Sequence, residues 1–162
     1  MNTGKFPLDP LCTLRNIRLK TIEAELRRCR RHFDEAEARR LEAVDALDGA
    51  RRMRQAFADA SWQQLFEHGG PTGSAMDRHE RHLALLDHGI EERQVALQAC
   101  EQASAEASIA LDGALAFWRK ARSKLDAVGE MKQEWQRTMR NHEDRREEQN
   151  MEELVLRQAS PS

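Results

Sequence analysis

Residues 97–128 read LQACEQASAEASIALDGALAFWRKARSKLDAV. Stepping through this stretch by three and four in turn lands on Leu97, Cys100, Ser104, Ala107, Leu111, Ala114, Trp118, Ala121, Leu125 and Val128. Only Ser104 breaks the apolar run. A hydrophobic period of 3.5 residues is the pattern of knobs-into-holes packing in a left-handed supercoil. Extended in both directions from Met76 to Leu156, the same stepping meets 24 positions, 16 of them apolar. The earlier half of the chain repeats it over Leu19, Ile22, Leu26, Cys29, Phe33 and Ala36. There the stripe is expected to slip, continuing through Leu41, Val44 and Leu47 to Phe57 and Leu65 with a local change of winding.

Proline and glycine divide the pattern in two. Asp9-Pro10 reads as an N-cap followed by a proline in the first helical turn. Gly69-Gly70-Pro71-Thr72-Gly73 stops a helix, and Ser74-Ala75-Met76-Asp77 restarts one in the manner of a capping box. These signals predict an all-α antiparallel two-helix coiled-coil hairpin spanning 1–162 as a single domain. Helix 1 covers about residues 10–68, the loop 69–74, and helix 2 about residues 75–158. At 1.5 Å per residue the helices are about 90 Å and about 125 Å long. A short loop makes them antiparallel neighbours, and the numbers of facing residues are expected to sum to about 143. Leu47 then lies near Ala96, and Leu26 near Phe117 and Trp118. Cys29 falls opposite Ala114, about 20 Å along the axis from Cys100, too far for a disulfide. Helix 1 runs out near residue 132, so 134–158 overhang with Trp135, Met139, Met151, Leu154, Val155 and Leu156, as a partner surface or as a frayed tail with incidental hydrophobes. Residues 1–8 and 159–162 are expected to lack order in isolation.

Composition agrees. Charged residues make up 33% of the 162 and aromatic ones 5%; there is no Tyr, and 22 residues are Ala. Such a chain makes long helices and cannot fill a wide core, which excludes sheets, barrels and doubly wound folds. A net charge of −2, from 26 basic and 28 acidic residues, excludes wholesale electrostatic binding to nucleic acid or membrane. Three cysteines, an odd number without paired spacing, no apolar leader and no long apolar run point to a cytoplasmic protein.

No catalytic constellation is present. Gly69 to Ser74 lacks the lysine and the preceding strand of a phosphate loop. His79 and His82 with Asp77 and Glu80 are the nearest approach to a metal set, but His79 lies on the seam and His82 does not; His68 and His88 stand alone. Cys29 and Cys100 sit at seam spacing as small hydrophobes. No enzyme, metal or cofactor is expected. Charge, however, is uneven. Residues 11–31 carry a net +5, with Arg27, Arg28, Arg30 and Arg31 at their end, and residues 143–153 a net −4. Both patches are expected at the open end of the hairpin.

The hairpin with a longer second helix, and the stretch Glu148-Gln149, Met151-Glu152-Glu153-Leu154 and Arg157, resemble the central-stalk family of type III secretion systems, the FliJ/YscO-like proteins. That resemblance implies a protein similar to the γ-subunit stalk of rotary ATPases, acting at the cytoplasmic face of a membrane-embedded secretion apparatus. Its helix ends would enter a secretion ATPase hexamer and promote its assembly and activity. Other surfaces would reach the export-gate protein and escort chaperones. The ATPase-facing set would be Met151, Glu152, Glu153, Leu154 and Arg157 with Arg27, Arg28, Arg30 and Arg31. The gate- or chaperone-facing set would be Phe57, Trp62, Leu65 and Phe66. Two other classes stay open: a passive coiled-coil spacer, and a helical-hairpin chaperone or adaptor gripping clients at its loop end. A nucleic-acid arm ranks last, since residues 63–82 carry no excess of basic charge.

Overall fold

A computed structural model describes residues 4–67 and 69–160. His68, Pro161, Ser162 and the first three residues lie outside them. Two helices account for nearly all of the described chain: α1, Asp9–Glu67, and α2, Gly73–Ala159. No proline interrupts either after the first turn of α1, and alanine, leucine, glutamate and arginine supply most positions, so propensity alone favours long continuous helices. Gly69 and Gly70, with φ of 87° and 103°, turn the chain after α1, a left-handed conformation that an L side chain would strain. Thr72, rather than Ser74, caps α2: its hydroxyl accepts from the Ala75 amide at 3.3 Å and its carbonyl from Met76 at 3.1 Å. At the start of α1 the Leu8 carbonyl takes the Cys12 amide at 3.0 Å, so Asp9 is already helical and its carboxylate is directed elsewhere.

The hairpin divides into two compact units. One comprises residues 1–26 and 114–162. Its core is Phe6, Leu19 and Val128, exposed by 6%, 5% and 2%. Asp9 pairs with Lys132 at 2.6 Å, Trp118 donates to Glu23 at 3.4 Å, and Arg15 donates to the Lys124 carbonyl. The Phe6 and Trp135 rings lie 5.8 Å apart. Phe6 thus belongs to the core, and the expected disorder up to residue 8 does not hold for it.

The other unit comprises residues 27–113, with Ala36, Leu47, Ala107 and Ser104 buried. Ser104 donates to Glu37 at 2.7 Å, and Arg54 pairs with Asp87 at 2.9 Å. In both units the residue numbers of facing partners, Asp9 with Lys132, Glu23 with Trp118, Glu37 with Ser104 and Arg54 with Asp87, sum to 141. The observed register is therefore slightly shorter than expected.

Every α2 seam position expected between Met76 and Met139 is at least half-buried except Arg93. Arg93 bends back to the Gly89 carbonyl at 3.0 Å. In α1 the expected slip does not occur. Leu41 is 52% exposed, and the 3.5-residue seam runs on unbroken through Ala36, Arg40, Ala43, Leu47, Ala50, Arg54 and Phe57. Phe117, expected beside Leu26, is 67% exposed, because it precedes the seam residue Trp118 and points along the flank.

Candidate functional site

The first unit ends in a free helical arm. Trp135 and Met139 are still half-buried, so the helix becomes unpartnered from residue 140 rather than 134, and 140–160 are exposed throughout. Residues 140–150 carry no apolar side chain. The apolar turn that follows, Met151, Leu154, Val155 and Leu156, is 54–67% exposed. Asn150, Glu153, Leu154 and Arg157 line a shallow hollow of about 250 Å³ on this turn. The arm holds its form through the helix ladder and local contacts, such as Arg140 to the Gln136 carbonyl at 3.4 Å. With an apolar patch at i, i+3 and i+4 flanked by Glu152, Glu153 and Arg157, it can offer a partner a small greasy anchor with a charged rim.

Arg27, Arg28, Arg30 and Arg31, expected to join this set, are exposed on α1 in the second unit. The two halves of the expected ATPase-facing surface thus belong to different units. The structure gathers Met151, Glu152, Glu153, Leu154 and Arg157 on one helix end, and the four arginines on a separate segment.

The loop end of the second unit holds the other expected set. Phe57 is half-buried between two imidazoles, its ring centroid 5.5 Å from His79 in a stacked arrangement and 4.2 Å from His82 in a tilted one. Here Phe57 and Leu65 act as packing residues at the end of the seam, as their half-burial shows. Trp62 and Phe66, one turn apart on the outside of α1, stand 54% and 58% exposed with rings 5.0 Å apart and edge-on. The structure therefore divides the quartet into two packed residues and one exposed aromatic pair. Among the described residues His79 Nδ1 is the one buried side-chain nitrogen or oxygen without a hydrogen-bond partner.

The second unit also holds a polar layer that sequence reading missed. Glu37 accepts from Ser104 across the seam and from Arg40 Nε, three residues on, at 3.0 Å. The Arg40 hydrogen bond, then that of Ser104, hold the Glu37 carboxyl down at about 2. In return Glu37 raises the Arg40 guanidinium, and Asp87 raises Arg54 in the same way. In the other unit the Asp9 hydrogen bond raises the Lys132 ammonium. The signal was present as Arg40 on the seam and Glu37 one turn before it on its flank, but a search for apolar residues passes over it. These groups are occupied with each other, so the layer is a structural joint rather than a reaction centre.

Among the described residues no group of three or more His, Cys, Asp or Glu could hold a metal ion, the three cysteines form no disulfide, and no helix is long and apolar enough to cross a membrane.

Comparison with known proteins follows the same lines. The family model described as YscO-like protein matches residues 3–157. A solved structure from Chlamydia trachomatis, CT670, described as a YscO homologue, superposes with a TM-score of 0.77 over 96% of each chain at 20% identity, a likeness of fold. No curated protein matches the chain. A helical hairpin of this form, matched by one family model over nearly its whole length, belongs to the YscO-like family of type III secretion proteins.

Proposed function

We propose that this protein is a non-enzymatic central stalk of a type III secretion export apparatus. It binds the hexameric secretion ATPase, promotes its assembly and activity, and links it to the export gate at the cytoplasmic face of the membrane. The observation that carries the reading is the arm: α2 continues through residues 140–159 without a partner and ends in an exposed apolar turn. An unpartnered helix end with a charged rim suits a polar, reversible contact within a ring, where a large greasy surface would bind too tightly to turn over. Met151, Glu152, Glu153, Leu154 and Arg157 form the ATPase-facing set of this proposal, with Arg27, Arg28, Arg30 and Arg31 as a second contact. Trp62 and Phe66 are the side chains offered to the gate or to escort chaperones, and Phe57 and Leu65 hold them in place.

A pull-down of the cognate ATPase by the full chain and by a Met151→Ala, Leu154→Ala double variant tests the contact. The proposal expects the variant to lose most of the bound ATPase while keeping its helix content. Undiminished capture would leave the arm without this role. A passive spacer, the second reading, expects no capture by either protein.

A further inference from the structure

The arm and the outer flank of α2 share one continuous stripe. The seam residues Trp118, Leu125 and Lys132 are each preceded by an exposed residue, Phe117, Lys124 and Met131. Carried along α2 at the same 3.5-residue spacing, this flank runs from Phe117 through Lys120 and Lys124, and on through Glu148 and Glu152 to Val155. Every position on it is exposed, Phe117 by 67%, Met131 by 52% and Val155 by 61%. All of it lies within the unit formed by residues 1–26 and 114–162.

Its charges are sorted by position. Residues 10–22 and 114–125 of that unit, whose 16–22 and 119–125 face each other in the observed register, hold seven lysines and arginines and no acid. Residues 143–153 hold six acids and two arginines. A sequence reading confined to α1 finds only three of these seven cations, because Arg119, Lys120, Arg122 and Lys124 join them through the fold.

We infer that α2 pairs antiparallel with α2 of a second copy of this chain about a two-fold axis near residue 136. In that register Phe117 meets Val155, Lys120 meets Glu152, and Lys124 meets Glu148, each pair twice. A parallel pairing would set Lys120 against Lys120 and Glu152 against Glu152, so charge selects the antiparallel one. The contact is isologous and closes at two chains. It covers Glu152 and Val155, so self-association withdraws the arm from any other partner. The inference needs only the stripe and its charges; it stands whether or not the stalk reading does.

Sedimentation velocity on the full chain, from about 5 µM to about 200 µM, reads the pairing. At about 0.05 M salt the chain is expected to become a dimer as concentration rises, and at about 0.5 M salt the dimer weakens. Lys120→Glu with Lys124→Glu makes all four members of the two ion pairs acidic; Glu148→Lys with Glu152→Lys makes them all basic. Each variant alone is expected to be monomeric, its dissociation constant raised at least about tenfold, and an equimolar mixture of the two to form a heterodimer. The mixture corrects for any helix loss in a single variant, which circular dichroism also reads. Monomer at every concentration overturns the inference and leaves the basic band to an acidic partner of another kind. So does a dimer that survives either charge reversal, or a mixture that stays monomeric.

Discussion

Ser104 Oγ donates to the Glu37 carboxylate at 2.7 Å across the seam, and it does so while only 7% exposed. A hydroxyl that interrupts the apolar run from Leu97 to Val128 is thereby satisfied by a carboxylate that Arg40 also holds. Such a layer costs more to break than to omit, because removing one partner strands the others. Ser104→Ala is expected to lower the urea midpoint, and Ser104→Ala with Glu37→Leu and Arg40→Leu to recover or exceed it. Equilibrium unfolding of the two variants reads this directly. A midpoint unmoved by Ser104→Ala would mean the bond contributes nothing.

The same group sets an acid limb. Glu37 titrates at about 2 in the fold against an ordinary 4.5, so between those values the unfolded chain binds more protons than the folded one. Its contribution is complete above pH 4.5 and is lost as pH falls toward 2. Melting temperatures measured across that window should fall more steeply for the native chain than for Glu37→Gln. Parallel curves would show that the carboxylate is not specially held.

Phe6 anchors the start of the chain on Trp135. Replacing it with Ala leaves a hole beside the indole, at a cost of about 3 kcal/mol in the stability of that unit. Fluorescence of the Trp135 indole, read with Trp62 and Trp118 changed to Phe, should shift to the red. An unshifted spectrum would place Phe6 elsewhere in solution.

The core and the arm should separate in stability measurements. Val128→Ala removes one of the best-buried side chains and should cost about 2 kcal/mol. Ending the chain after Met139 removes, among the described residues, only exposed ones and should change the unfolding free energy by no more than about 0.5 kcal/mol. A large loss on truncation would reveal packing by the arm.

How much of this was legible beforehand follows from what each residue advertises. The α2 seam was readable almost position by position, because leucine, alanine and tryptophan recur there at one spacing. The α1 seam was misread at Leu41 for the opposite reason. A conspicuous leucine lies on the outside while Arg40, Ala43 and Arg54, small or charged, carry the contact. Periodicity weighs side chains by greasiness, but the backbone keeps its period regardless. The apolar end of the arm was found, and its start was placed six residues early because nothing in the sequence tied Phe6 to Trp135. The basic band of the first unit could not be seen from either helix alone, since three of its cations come from α1 and four from α2 in a fold not yet formed.

The most direct test of the stalk account is ATP hydrolysis by the cognate secretion ATPase, assayed with the full chain and with a chain ending at Asn141. The account predicts that the full chain stimulates turnover and that the shortened one, with its hairpin intact by circular dichroism, does not. Equal stimulation by both would contradict the role of the arm, and none by either, with an ATPase competent to form hexamers, would contradict the stalk itself.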